Sequence, residues 1–170
     1  MVPKPTLLSF DPIVEAQRQW VEHGWVAAAE GMAAITSVMR AHQIFLARVD
    51  EQLRPLGLSF ARYEILMLLA LSRNGSLPLG KIGQRLQVHP ASVTSAMDRL
   101  QLQKYVRREP HPSDRRTTLA AITRDGRSAA DQATDVLNCR VFVDLGVAPA
   151  VTAQIIEVLT ELRKASGDFV

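Results

Sequence analysis

LPLGKIGQRLQVHPASVTSAMDRLQLQKYVRREPHPSDRR, residues Leu77 to Arg116, contains two short helical patterns joined by a few turn residues, then a strand, a Pro-broken tip and an Arg pair. Pro78 opens the first pattern, in which Leu79, Ile82 and Leu86 recur at helical spacing. After the turn Gln87-Val88-His89, Pro90 stands where a first helical residue is favoured, because its missing N–H would be unpaired there anyway. Val93, Ala96, Met97 and Leu100 then make an inward stripe, which leaves Ala91, Ser92, Thr94, Ser95, Asp98 and Arg99 on the outer or flanking surfaces. Small and hydroxyl-bearing side chains let a helix lie deep in a major groove and contact base edges or phosphates. An isolated helix of this composition could equally be a solvated face, so its meaning depends on the residues C-terminal to it.

Those residues make a hairpin. Tyr105 to Arg108 has strand character, Glu109-Pro110-His111-Pro112-Ser113-Asp114 cannot continue a ladder, and Thr117 to Thr123 is again β-branched and apolar. Arg115 and Arg116 fall near the tip, where a planar guanidinium suits a narrow minor groove or a phosphate, and Asp114 is expected to hold one of them in position. A helix-turn-helix followed by a basic wing at this spacing is expected to bind double-stranded DNA, through His89, Pro90, Ala91, Ser92, Thr94, Ser95, Arg99, Arg115 and Arg116.

The charge distribution supports this. The 170-residue chain has a net charge of only +3. Yet the segment from Arg73 to Arg127 holds eleven Lys or Arg against four acids, a local excess of +7, and the remainder carries nine basic against thirteen acidic residues. A positive field gathered on one segment is the pattern of a phosphate-binding surface.

Outside this segment the chain is mainly helical. Residues 1–11, with Pro3 and Pro5, read as an extended arm. Asp11 is a candidate N-cap, with Pro12 at the first position, for a short helix toward Val26. From Met32 to Leu53, apolar residues recur at three- and four-residue steps until Pro55. Ser59 is a candidate N-cap for a largely buried helix, Phe60 to Leu71, carrying Tyr63, Ile65, Leu66, Leu68 and Leu69. A further helix is expected from Arg124 to about Leu145, broken by Gly146 and Pro149, and a last amphipathic one comes after it with Val151, Ile155, Val158, Leu159 and Leu162.

Three pieces carry a resemblance to a known family: LGLSFARYEILMLLA, LPLGKIGQRLQVHPASVTSAMDRLQLQKYVRR and PHPSDRRTTLAAITRDGR. Over roughly Met32 to Val143 the sequence resembles MarR-family transcriptional regulators. Asp114, Arg115, Arg116, Thr123, Gly126 and Arg127 match the family's wing and the Thr-capped helix after it, and Ser92, Val93, Thr94 and Asp98-Arg99-Leu100 match the helix after Pro90. Gln103-Lys104-Tyr105 departs from the pattern, since members often carry a Gly before the wing strand. The resemblance implies a mainly α fold with a small β wing, a winged helix-turn-helix plus an α-helical dimerisation region. It divides the chain into the arm 1–11, N-terminal helices 12–58, a reader 59–123 and C-terminal dimerisation helices 124–170. It further implies a homodimer on a pseudo-palindromic operator, acting as a repressor released by a small aromatic or anionic effector. Trp20, Trp25, Arg40, His42, Phe45, Arg62 and Tyr63 could supply stacking and charge for that effector, or simply pack the helices.

Other chemistries find little. The four His are scattered without metal-ligand spacing, so no metal or cofactor is expected, and no nucleophile–base set or Gly-rich phosphate loop indicates an enzyme. A single cysteine, Cys139, excludes an internal disulfide and fits a reducing cytoplasm. No apolar run approaches the roughly 20 residues of a membrane span, so a soluble cytoplasmic protein with no membrane partner is expected. The alternatives are a winged-helix dimer serving as a protein-interaction scaffold, and a redox- or metal-responsive regulator.

Overall fold

The computed structural model describes residues 7–114 and 116–170. They fall into two compact units, divided between Arg48 and Val49.

In the first unit, helix α1 (Pro12–Glu22) begins as its sequence predicts: Asp11 Oδ1 accepts from the Ile13 amide at 2.8 Å, and Pro12 leads the helix. Gly24, at φ 84°, turns the chain into the 28-residue helix α2 (Val26–Leu53), which starts a turn and a half before the apolar stripe. At this corner the Trp20 and Trp25 rings meet edge to face with centroids 5.2 Å apart, and His23 stacks on Trp25 at 5.3 Å. No residue of α1 is buried.

The second unit begins with the last turn of α2, where Val49 and Leu53 join a continuous core. A single tight turn, Arg54–Leu56, ends at left-handed Gly57 and leads to α3 (Phe60–Ala70). The hydroxyl of Ser59 does not cap α3, contrary to expectation. Asp50 Oδ1 accepts from the Phe60 amide at 2.7 Å, and the Ser59 hydroxyl accepts instead from Arg62 Nε at 3.2 Å. A carboxylate is the stronger acceptor for an orphan helix amide, and the fold brings Asp50 there from ten residues away.

Strand β1 (Ser76–Pro78), α4 (Leu79–Leu86), α5 (Pro90–Leu102), β2 (Val106–Pro110) and β3 (Thr118–Ile122) come next along the chain. The three strands form an antiparallel sheet in the order β1-β3-β2, with Leu77 and Arg108 on either side of Ala120. The β2–β3 hairpin is the expected wing. Its ladder runs on through Glu109 and Pro110, which pair with Leu119 and Thr118 contrary to expectation, because β2 is an edge strand where a Pro is tolerated. Strand β1 lies where the sequence showed only a loop and a helix start, because three residues ending in Pro are too few to display alternation. Its pairing with β3 is a tertiary event.

Helix α6 (Arg124–Leu137) packs on α3, and the Tyr63 hydroxyl meets Thr134 Oγ1 at 3.1 Å. Its regular part ends eight residues before the expected Leu145, passing into one wider turn over Asn138–Phe142 in which the Val143 amide reaches the Asn138 carbonyl at 3.1 Å. A wider turn rotates the residues beyond it, and here Val141 stays buried while Cys139 and Arg140 face solvent. Pro149 does not merely interrupt: it leads α7 (Pro149–Ala165), which buries no residue.

The junction between α5, the wing and α6 is the tightest place in the unit. Lys104 stands at φ 62°, the left-handed conformation that glycine adopts freely, within the tripeptide where the family pattern favours Gly. The next carbonyl, Tyr105 O, accepts from the Thr123 amide at 2.9 Å; the Thr123 hydroxyl donates to the Lys104 carbonyl at 2.8 Å, with Tyr105 O a longer second acceptor at 3.1 Å, and accepts from the Gly126 amide at 3.0 Å. A Cβ on Gly126 would overlap the Tyr105 oxygen. Gly126→Ala is therefore expected to lower the unfolding free energy by about 1–3 kcal/mol through forced displacement of backbone. Gly80→Ala, in α4 with nothing within 4 Å of the new methyl, should leave it unchanged or raise it by up to about 1 kcal/mol. Urea denaturation of the two variants beside wild type measures the difference.

Candidate nucleic-acid interface

Helix α5 separates its residues by face as the sequence predicted. Val93, Met97 and Leu100 are buried, while His89, Pro90, Ala91, Ser92, Thr94, Ser95, Asp98 and Arg99 are exposed. The buried three anchor the helix to the core, so the small polar face stands outward on a rigid support. Gln87 turns the chain at φ 50°, and the His89 imidazole caps the new helix, its Nδ1 accepting from the Ala91 amide at 3.2 Å. His89 thus has a local task at the head of α5, which polar composition alone did not reveal.

The wing tip is built around Asp114. One carboxylate oxygen accepts from the Arg116 amide at 3.0 Å and the other from the Thr117 hydroxyl at 2.6 Å, while the Thr117 amide reaches the Asp114 carbonyl at 3.0 Å. Asp114 therefore fixes the backbone on which Arg116 is carried; the expected hold on an Arg is made through the amide of Arg116 and not through its guanidinium. The Thr117 hydroxyl and then the Arg116 amide, both favouring the charged form, hold the Asp114 carboxyl below its ordinary value of 3.8. Arg115 lies outside the described residues.

The basic excess of this segment divides into two groups. Arg127 Nη1 donates to the Ala70 carbonyl at 3.1 Å and closes the loop before β1. Arg107 pairs with Glu109 beside it on β2. Arg108 is engaged twice: Nη2 meets Asp98 Oδ1 at 2.6 Å and Nη1 meets Gln101 Oε1 at 2.7 Å, so a wing residue is forked onto α5. Among the described residues, Arg73, Lys81, Arg85, Arg99, Lys104, Arg116 and Arg124 are exposed and make no ion pair. These unpaired cations are the ones available to phosphate.

The residues considered for an effector are scattered in character. Trp20 and Trp25 form the aromatic corner of the first unit, Trp25 being about half exposed at 54%, whereas Arg40 and His42 are exposed and Phe45 half-buried on α2. In the second unit Tyr63 is a core residue, 7% exposed, with its hydroxyl taken by Thr134. Arg62 bridges Ser59 and, at 3.3 Å, Gln103, whose amide nitrogen in turn donates to the Gly57 carbonyl. Among the described residues no three His, Cys, Asp or Glu are grouped to hold a metal ion, and no helix is long and apolar enough to cross a membrane. Cys139 is exposed.

The sequence model of the MarR family matches residues 56–117, from the turn before α3 to the far side of the wing tip. A MarR family transcriptional regulator from Streptomyces coelicolor, Sco5413, has 46% sequence identity with the chain, covering 82% of this chain and 97% of its own with a TM-score of 0.76. The chain belongs to the MarR family. A second MarR regulator of that organism, Sco3205, whose structure is in complex with DNA, shares the fold at 22% identity and a TM-score of 0.68, covering 96% of this chain and 92% of its own. The HTH-type transcriptional regulator YhbI of Bacillus subtilis is 31% identical over 81 residues, 48% of this chain and 51% of YhbI. The chain thus spans about half the length of the curated relatives it matches. Within this MarR fold, α5 is the second helix of the helix-turn-helix and the β2–β3 hairpin is the wing.

The Asp114 geometry has a pH signature. A carboxyl whose folded-state value is lowered stabilises above its unfolded value and loses that contribution as pH falls through the folded one. The wing-tip contacts should persist throughout the neutral range and be lost only below 3.8. The Arg116 amide shift, followed by NMR, should titrate with a midpoint below that value, and Asp114→Ala should abolish the titration. A midpoint above 3.8 would contradict the arrangement.

Proposed function

We propose that the protein is a homodimeric, sequence-specific transcriptional regulator of double-stranded DNA, that it represses, and that a small molecule releases it. The observation that carries the DNA reading is the joint exposure of the small polar face of α5 and of Arg116 on a tip ordered by Asp114. One element suits a major groove and the other a minor groove or its phosphates. The DNA-bound Sco3205, of the same fold, supports the reading. The reader spans 59–123, with 12–58 and 124–170 serving dimerisation. A regulator must share a compartment with its DNA, and on that ground we assign the protein to the cytoplasm.

Pairing is favoured by apolar side chains that helices of the described chain leave exposed. In α7, Val151, Ile156, Val158 and Leu162 are exposed, and α1 and α2 expose Val14, Val21, Ile35, Val38 and Met39 in their own unit. Apolar surface of this extent is characteristic of an interface. Two readers related by a two-fold axis would meet half-sites about one helical turn apart, hence a pseudo-palindromic operator.

Release by an effector rests on the ring cluster of Trp20, His23 and Trp25, in which His23 and Trp25 are exposed and offer aromatic faces to a small aromatic or anionic molecule. Such a ligand would act by favouring one spacing of the two readers. Both tryptophans of the chain lie in this cluster. Intrinsic fluorescence titrated with a panel of aromatic carboxylates therefore reports on it directly. An unchanged emission across the panel counts against this site.

The DNA reading is tested with wild type, Arg116→Ala and Ser95→Ala on a random duplex library at several salt concentrations. Arg116→Ala should weaken binding to all sequences and lower the salt slope by about 1, whereas Ser95→Ala should change preference among sites. Absence of salt-dependent binding by wild type to any duplex would overturn the reading and leave a protein-interaction scaffold.

A further inference from the structure

We propose that Asp98, Gln101 and Arg108 form a clamp that sets the spacing between recognition helix and wing, and that Arg108 serves specificity by position and not by contact with phosphate. The inference rests on the proposed DNA binding and assigns a separate task within that site.

Arg108 belongs to the basic segment, and by sequence it is one more cation for DNA. In the structure its guanidinium is already committed. One arm reaches Asp98 at 2.6 Å and the other reaches Gln101 at 2.7 Å, and the side chain is 29% exposed against 55% for Asp98. Asp98 and Gln101 are three residues apart, hence neighbours on one face of α5. The fork thus joins two successive positions of the helix to the central residue of β2, which pairs with Ala120 of β3. A planar group held at both ends fixes direction as well as distance.

The placement matters because β1 braces the wing along β3, whereas β2 is tied to α5 otherwise only through the connection at its base. Only Gln103-Lys104-Tyr105 separates α5 from β2, and the Tyr105 junction anchors the hairpin at the end away from its tip. Arg116 is carried past Pro110, beyond the paired residues of β2. A small rotation about that base would swing the tip relative to Ser92 and Ser95. The clamp opposes that rotation from the middle of the strand. The same ion pair cancels the one acidic charge on the exposed side of α5, which would otherwise repel phosphate.

These roles predict opposite signs for two measurements on one variant. Removing an acid from a DNA-facing surface ordinarily raises affinity for every duplex. Asp98→Ala should do so for an unselected random duplex library, because it removes a negative charge and frees Arg108. For a duplex selected from that library by wild-type protein, affinity should fall, reducing the ratio of selected to unselected binding by roughly tenfold. Arg108→Lys, which keeps the charge and loses the fork, should reduce the ratio by a similar factor. The double variant Asp98→Ala, Arg108→Lys should lose little more than either alone. Thermal melts of each variant separate loss of fold from loss of discrimination.

If Asp98→Ala strengthens binding to both duplexes by the same factor, or if Arg108→Lys retains the wild-type ratio, the clamp does not set specificity and the proposal is overturned. Failure of wild type itself to bind duplex overturns the DNA reading, and the clamp's role with it. The two failures are distinguished by the wild-type measurement.

Discussion

The carbonyl of Tyr105 is where the reader is held together. It comes directly after a left-handed Lys104, accepts from the amide of Thr123 while the Thr123 hydroxyl is shared between it and the Lys104 carbonyl, and lies so close to Gly126 that no side chain fits between them. Three elements meet at this oxygen: the end of α5, the start of the wing and the first turn of α6. A helix N-terminus carries partial positive charge and unsatisfied amides, so a carbonyl and a capping hydroxyl are natural partners there. Displacing this contact would alter both the angle at which the wing leaves α5 and the direction of α6.

From that anchor outward the reader is held by increasingly local contacts. The buried stripe of α5 is locked in the core, and its outward face is small and polar. The middle of the wing is braced to α5 by Arg108, and its tip is ordered by local hydrogen bonds to Asp114. Two cations of the segment are engaged by the fold through contacts distant in sequence: Arg127 by the Ala70 carbonyl and Arg108 by Asp98. Arg99 and Arg116 make no ion pair among the described residues. Net charge therefore does not say which cations are free to meet a polyanion. What matters is which guanidinium groups have already committed their donors to the protein.

Periodicity made most elements of the second unit visible in advance, because its helices are amphipathic and their breakers are Gly and Pro at ordinary positions. The cap Asp11 was equally visible in the residues themselves, and the cap Thr123 through the family resemblance, each acting within three residues of itself. Three features were not. Strand β1 exists because β3 offers it an edge, the capping of Phe60 by Asp50 depends on the chain folding back over Gly57, and the wide turn at Asn138–Phe142 serves the burial of Val141. Each depends on a partner brought near by tertiary structure. The effector candidates Arg62 and Tyr63 show the same limit from the other side: polar and aromatic residues in sequence, they are occupied by Gln103 and Thr134 in the fold.

The sequence by itself determined the helix-turn-helix, the wing and the family, through apolar spacing, turn chemistry and the Asp114-Arg115-Arg116 pattern. These are local properties, readable wherever a residue's neighbours in sequence are also its neighbours in space. Tertiary structure alone decided which charges are available and which are used. An ion pair such as Asp98–Arg108 spans ten residues, and its existence depends on the angle between a helix and a strand, which is set by the packing beneath both.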